Sequence, residues 1–277
     1  MQSRLYRTVG CALLLWVYPG YAQQPSTPLG SPVTSERLLK ASDEPENWLM
    51  YSGQYNSQRH SRLTAIDKSN VDQLKVKWVK QLETLADVET TPLVVDGVMY
   101  LTQSPSNVFA LDASTGSQFW SYEHSLPEKL SLCCGRQNRG AAILGETLFL
   151  GTLDAKLIAL DAKTGTVQWE TQSADPATGY SKTAAPLVIG DKVISGIAGG
   201  EYGIRGFLDA YDVETGELAW RFYTIPGEGE PHNDTWEGDS WKTGGAPTWV
   251  TGAYDPDLNL VYWGTGNPGP DLSLIHI

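Results

Sequence analysis

The sequence is poor in charge, methionine and cysteine. Of its 277 residues only 19% are charged, and it has Met 3 and Cys 3. It contains no basic run and its net charge is −12, so it has no electrostatic grip on nucleic acid or anionic lipid. Nucleic acid is excluded as a partner on that ground. No apolar run reaches the ~20 residues that span a bilayer, so no membrane span is expected. No Cys-x-x-Cys-His occurs, so this stretch holds no covalent haem. At 41% hydrophobic the chain has material for a sizeable core, which excludes disorder.

Glycine and tryptophan are plentiful, at Gly 28 and Trp 10, and suit short strands and tight turns rather than helices. The first residues stand apart. Arg4 and Arg7 precede an apolar run over Val9–Val17, which Pro19 and Gly20 break, and Gly20-Tyr21-Ala22 places small residues where a signal peptidase reads. Residues 1–22 are expected to be a secretory signal, and the protein periplasmic. Residues 23–47 form a Pro/Ser-rich lead-in.

From about Trp48 one pattern recurs. Ala110-Leu111-Asp112-Ala113-Ser114-Thr115-Gly116 leads to Trp120, Ala159–Gly165 to Trp169, and Ala210–Gly216 to Trp220, with identical internal spacing and a period of ~50 residues. Ala253–Asn259 is a degenerate fourth copy. Asp and Thr cap a tight turn, Gly takes its φ > 0 position, and the tryptophan can pack onto the neighbouring repeat. Strands are expected over Leu93–Thr102, Ala141–Thr152, Pro186–Ile197, Thr248–Tyr254 and Leu260–Gly264. About four strands per repeat is the pattern of an all-β propeller blade. Three blades and part of a fourth do not close a ring. The expectation is therefore a truncated product of residues 48–271, with 272–277 an artefactual tail.

Past residue 22 the only cysteines are Cys133 and Cys134. In an exported chain with no other partner a bond between them is favoured, reduced packed thiols being the alternative. Such a bond closes almost no loop and staples nothing, but it makes a flat, rigid platform for a planar ligand. Arg136 and Arg139 follow, and either can neutralise a carboxylate beside it. In Gly196–Gly206 a run of glycines precedes Glu201, and Tyr262–Pro270 carries Asn267. Together they offer the hard oxygen donors that suit Ca2+ rather than zinc. Trp249 lies between these clusters on an expected strand, as core or as a stacking plate.

These motifs, in order, resemble the pyrroloquinoline-quinone (PQQ)-dependent alcohol dehydrogenases, the quinoprotein methanol and ethanol dehydrogenase family. The resemblance rests on the Trp-ending repeat, Cys-Cys-Gly-x-x-Asn-Arg-Gly, Gly-Gly-Glu-x-Gly-x-Arg-Gly, Thr-Trp-Glu-Gly-Asp-x-Trp-Lys and Gly-Thr-Gly-Asn-Pro-Gly-Pro. It implies an eight-bladed β-propeller, about half of it present here, with PQQ in the central funnel. It implies that Cys133–Cys134 covers one face of PQQ, Trp249 stacks on the other, and Arg139 binds a carboxylate of the cofactor. Glu89 and Thr183 would hydrogen-bond it, Ala198, Gly199 and Gly200 would line it through backbone, and Glu201 and Asn267 would ligate Ca2+ or a lanthanide. Ala246 departs from the family's third glycine and is expected to crowd Trp249. The family's catalytic aspartate falls downstream of Asn267, so no catalytic residue is assigned here. The activity implied is oxidation of a small primary alcohol to an aldehyde, with a cytochrome c as electron acceptor and a homodimer as one arrangement open to it. A non-catalytic envelope scaffold and a sugar dehydrogenase are the alternatives.

Overall fold

The structure is a computed structural model and describes residues 26–269. The expected signal peptide and the expected tail lie outside that range. Three successive stretches each fold into a four-stranded antiparallel sheet whose strands pair in chain order. The first is β1 (Leu93–Val95), β2 (Val98–Gln103), β3 (Asn107–Asp112) and β4 (Gln118–Tyr122). The second is β5 (Ala142–Leu144), β6 (Thr147–Gly151), β7 (Lys156–Asp161) and β8 (Val167–Gln172). The third is β9 (Leu187–Ile189), β10 (Lys192–Gly196), β11 (Phe207–Asp212) and β12 (Leu218–Tyr223). A two-stranded hairpin follows, β13 (Ala253–Asp255) and β14 (Leu260–Tyr262). These are the blades of a partial propeller.

The expected single strands Leu93–Thr102, Ala141–Thr152 and Pro186–Ile197 are each folded into a hairpin. The break is a tight two-residue turn. At Asp96-Gly97 both residues have positive φ, 49° and 83°, the geometry that matches the twist of the flanking strands. Of the expected strand Thr248–Tyr254, only β13 forms, so Trp249 lies in a loop. The degenerate copy does form a turn, with Asp255 accepting from the amides of Asp257 and Leu258, but its hairpin lacks the register shift found in all three complete copies.

The repeat motif works as a clasp between sheets. Asp161 Oδ1 accepts from the amides of Lys163 and Thr164 at 2.9 and 2.8 Å, which fixes the turn. Gly165 has φ 73° and lies flat under the Trp120 ring, where a Cβ would come within 2.5 Å of ring carbon. Trp120 donates Nε1–H to Ala162 O at 3.1 Å. Trp169 does the same to Val213 O over Gly216, and Trp78 to Ala113 O over Gly116. Trp120 and Trp169 therefore dock on the turn of the sheet after their own, and Trp78, which lies in no strand, on the turn of the first sheet.

The core runs between the sheets through Leu93, Val108, Leu148, Leu157, Val193 and Tyr211. The lead-in belongs to it from residue 26 onward. Leu29, Val33 and Leu38 are buried, Val33 pairs with Gly145, and the short helix α1 (Ser35–Leu39) is capped by Thr34. No helix among the described residues is long and apolar enough to cross a membrane.

Candidate cofactor site

In each blade the β-turns between first and second strands and between third and fourth strands fall at one end. The connections between second and third strands and the links from blade to blade fall at the other. The residues just before the first strand of each unit, β1, β5, β9 and β13, are therefore carried to that second end. Hydrogen bonds connect them from blade to blade. Thr91 N donates to Arg139 O at 3.0 Å, Arg139 N to Thr183 O at 3.0 Å, and Thr183 Oγ1 to Trp249 O at 3.4 Å.

This chain of links surrounds a cavity of about 210 Å³ lined by Glu89, Cys133, Cys134, Gln137, Arg139, Ser181, Thr183, Ala198, Gly199, Glu201, Pro247 and Trp249. A second cavity, of about 340 Å³, shares Glu201, Pro247 and Trp249 with it and adds Gly200, Thr265, Gly266 and Asn267. Every residue expected at the site lines one of the two. Arg136 is exposed and lines neither, which settles which arginine faces the cavity. Ala246 is buried and lines neither as well; its neighbour Pro247 lines both.

Cys133 and Cys134 are joined as a disulfide, and Cys134 has φ 67°. Gln137, which is buried, donates from Nε2 to Cys134 O and braces the platform from beneath. Arg139 Nη2 pairs with Glu89 Oε2 at 2.6 Å, and its guanidinium lies 5.0 Å from the centre of the Trp249 ring. This pair keeps a cation aimed into the cavity beside an aromatic plate that is 42% exposed. Glu201 rides on the 3-10 turn Gly200–Tyr202, entered through Gly199 at φ 116°. A Cβ at Gly199 would collide with Gly179 O, so only glycine fits the approach that places Glu201 at the cavity. A Glu201 carboxylate oxygen and both sulfurs lie within 4.8 Å of one another. Sulfurs in a disulfide offer no thiolate, so this is no soft-metal site; Glu201 is the charged oxygen donor of this cluster, while Glu89 across the cavity is paired with Arg139. Asn267 shares the second cavity with it.

Several contributors escaped the sequence reading. Ser181 alternates with Thr183 along one extended segment, a period-2 signal that was available. Gln137 sits at a variable position inside the Cys-Cys motif, and Pro247 carries no chemical signal.

Comparison with known proteins fits this geometry. Residues 48–274 match the family described as "Glucose/ethanol/alcohol dehydrogenase, beta-propeller domain", the PQQ family. The chain belongs to the PQQ-dependent alcohol dehydrogenases. It is 45% identical over 249 residues to quinohemoprotein alcohol dehydrogenase ADH IIB of Pseudomonas putida, covering 85% of this chain and 36% of that protein. It is 38% identical over 258 residues to the lanthanide-dependent methanol dehydrogenase of Methylorubrum extorquens, covering 85% and 43%. A solved structure of a europium-containing methanol dehydrogenase superposes with a TM-score of 0.80 at 37% identity, covering 84% of this chain and 45% of that one. The chain thus spans roughly two fifths of the length of the curated relatives it matches. For a PQQ-family site the donor set fits: a cation for a carboxylate, a disulfide and an indole for a planar ring, and hard oxygens for an ion.

Ala246 has φ 48°, a left-handed conformation that costs an L-residue with a Cβ about 1–2 kcal/mol. Glycine's own entropy offsets part of the relief, so Ala246→Gly is expected to stabilise the chain by up to about 1 kcal/mol. A lower urea midpoint than wild type would contradict this.

Proposed function

We propose that this chain supplies the PQQ- and metal-binding wall of a periplasmic dehydrogenase that oxidises a primary alcohol to an aldehyde and passes electrons to a cytochrome c. The observation that carries the reading is the convergence of Cys133–Cys134, Arg139, Glu201 and Trp249 on one cavity. Bound PQQ would supply the two-electron oxidising chemistry and a Ca2+ or lanthanide ion Lewis acidity. The residues of this chain bind and orient. Arg139, aimed by Glu89, neutralises a carboxylate of the ligand. The disulfide and Trp249 hold a planar ring and keep water from its faces. Thr183 offers a hydroxyl at the ring edge, and backbone at Ala198, Gly199 and Gly200 allows close approach. Glu201 supplies the charged ligand to the ion and Asn267 a neutral one. The base that takes the alcohol proton is assigned to none of these residues. The periplasmic assignment rests on residues 1–22 and the acceptor on the quinohemoprotein character of relatives.

The test is titration of the chain with PQQ in the presence of Ca2+ or a lanthanide, following tryptophan fluorescence. Saturable quenching that requires the metal and is lost in Trp249→Leu is expected. Quenching that is equal in wild type and variant would remove Trp249 from the site.

A further inference from the structure

Lys182 is fully buried, with 1% of its surface exposed, and lies between Ser181 and Thr183, which both face the cavity. Its own side chain points the other way, behind the site. There Nζ donates to Ser195 Oγ at 3.0 Å and to Gly196 O at 3.1 Å. Gly196 ends β10 and leads into the loop that carries Ala198, Gly199 and Glu201 to the same cavity. The backbones of the two segments also pair, Ser181 with Ala198 in both directions. Lys182 therefore joins, from behind, the two segments that supply five of the cavity's residues.

The setting is electrostatically unusual. Asp209, Arg221 and Tyr211 are the titratable groups around the ammonium. Asp209 is already taken: Arg221 binds it through Nε at 2.7 Å and Nη2 at 2.8 Å, and Tyr211 donates to it at 2.5 Å. Burial is the largest single influence on the Arg221 guanidinium and works against its charge, but the hydrogen bonds to Asp209, the Asp209 charge and the contacts with Tyr223 and Tyr211 together outweigh it. One carboxylate thus faces two cations, and a net positive charge is left inside the blade. A buried lysine without a carboxylate of its own is a cost to folding. The stem of Lys182 fills space against Gly151, but its charge is not needed for hydrogen bonding, since Ser195 Oγ also lies 3.5 Å from Gly196 O.

We propose that Lys182 is a positioning residue of the cofactor site, tying the Ser181–Thr183 segment to the Gly196–Glu201 loop and presenting a buried positive charge to an anionic ligand. The inference rests on the functional reading above, in which the ligand is PQQ, a tricarboxylate. A unit charge acting through protein interior over ~10 Å changes the affinity of an oppositely charged partner by about tenfold. Burial draws the Lys182 ammonium down to about 8. Its charge is present below that pH and lost above it.

The experiment uses the full chain, PQQ with saturating Ca2+, and fluorescence titration at several pH values between 7 and 10, with thermal melts alongside. Lys182→Met is expected to bind PQQ about tenfold more weakly at pH 7, while melting no lower than wild type. The wild-type Kd is expected to rise as pH passes 8, and the variant's to stay flat. A merely structural lysine would lower the melt and leave the pH profile in place. Equal Kd values for variant and wild type across the range overturn the proposal. If Lys182→Met fails to fold, Ser195→Ala decides: it removes one acceptor of the tie, and an unchanged Kd overturns the proposal as well. Absence of PQQ binding by wild type overturns the functional reading itself, and this inference with it.

Discussion

Glu201→Ala is expected to abolish metal-dependent binding of PQQ, weakening the metal by 100-fold or more, while Glu237→Gln leaves it within about twofold. The difference comes from position. Among the described residues Glu201 is the only carboxylate that lines both cavities, and it lies within 4.8 Å of the disulfide sulfurs. Glu237 is an exposed loop residue that lines neither, and its backbone carbonyl accepts from Ser240. Asn267 is neutral, and a hard divalent or trivalent ion held by amide oxygen alone loses most of its attraction. Loss of even an outer-shell partner costs 10–100-fold in metal affinity, so loss of the charged ligand should exceed that range. Terbium luminescence, sensitised by the tryptophan at the site, measures the affinity directly. Tight terbium binding by Glu201→Ala would place the ion elsewhere.

Trp120→Ala is expected to destabilise the chain by about 3–5 kcal/mol, the usual cost of removing a buried indole. Trp120 is wholly buried, covers Gly165, and donates to Ala162 O. Its loss opens a cavity between two sheets and breaks their clasp at one step. Against a total domain stability of about 5–15 kcal/mol this is a large fraction. Trp220→Ala provides the control. It occupies the same place in its repeat, but it is 42% exposed and docks on no turn among the described residues. Its removal is expected to cost less than about 1 kcal/mol. Urea unfolding of the two variants measures both. Equal losses would mean that neither the burial of Trp120 nor its clasp adds stability.

Much of this was readable from the chain. The repeat exposed the blades because Asp, Thr, Gly and Trp each answer one steric or hydrogen-bonding demand, and such demands leave fixed spacings. The site was readable where the chemistry needs a rare residue type, as at Cys133, Cys134 and Glu201. The inner hairpins were hidden because Asp96-Gly97 is two residues long, and the apolar alternation runs through it almost unbroken. Trp249 reads as part of a strand because its neighbours are β-formers. What holds it in a loop is Thr248, whose amide and hydroxyl bond to Ile197 and whose hydroxyl reaches Phe207 O, all distant in sequence. Lys182 was invisible for the same reason: one lysine in a strand-like run reads as a solvated side chain until the sheet behind it is known.

The forward direction of the clasp has a temporal consequence. A tryptophan that docks on the following sheet cannot be seated until that sheet's turn has been made, 42 residues later for Trp120 and 44 for Trp169. On a growing chain the last strand of each blade therefore stays half-covered while its partner is still being synthesised, so consolidation trails synthesis by one repeat. Trp78 meets this delay first: its anchor is Ala113 O, and until residues 113–116 emerge, its indole has no turn to cover.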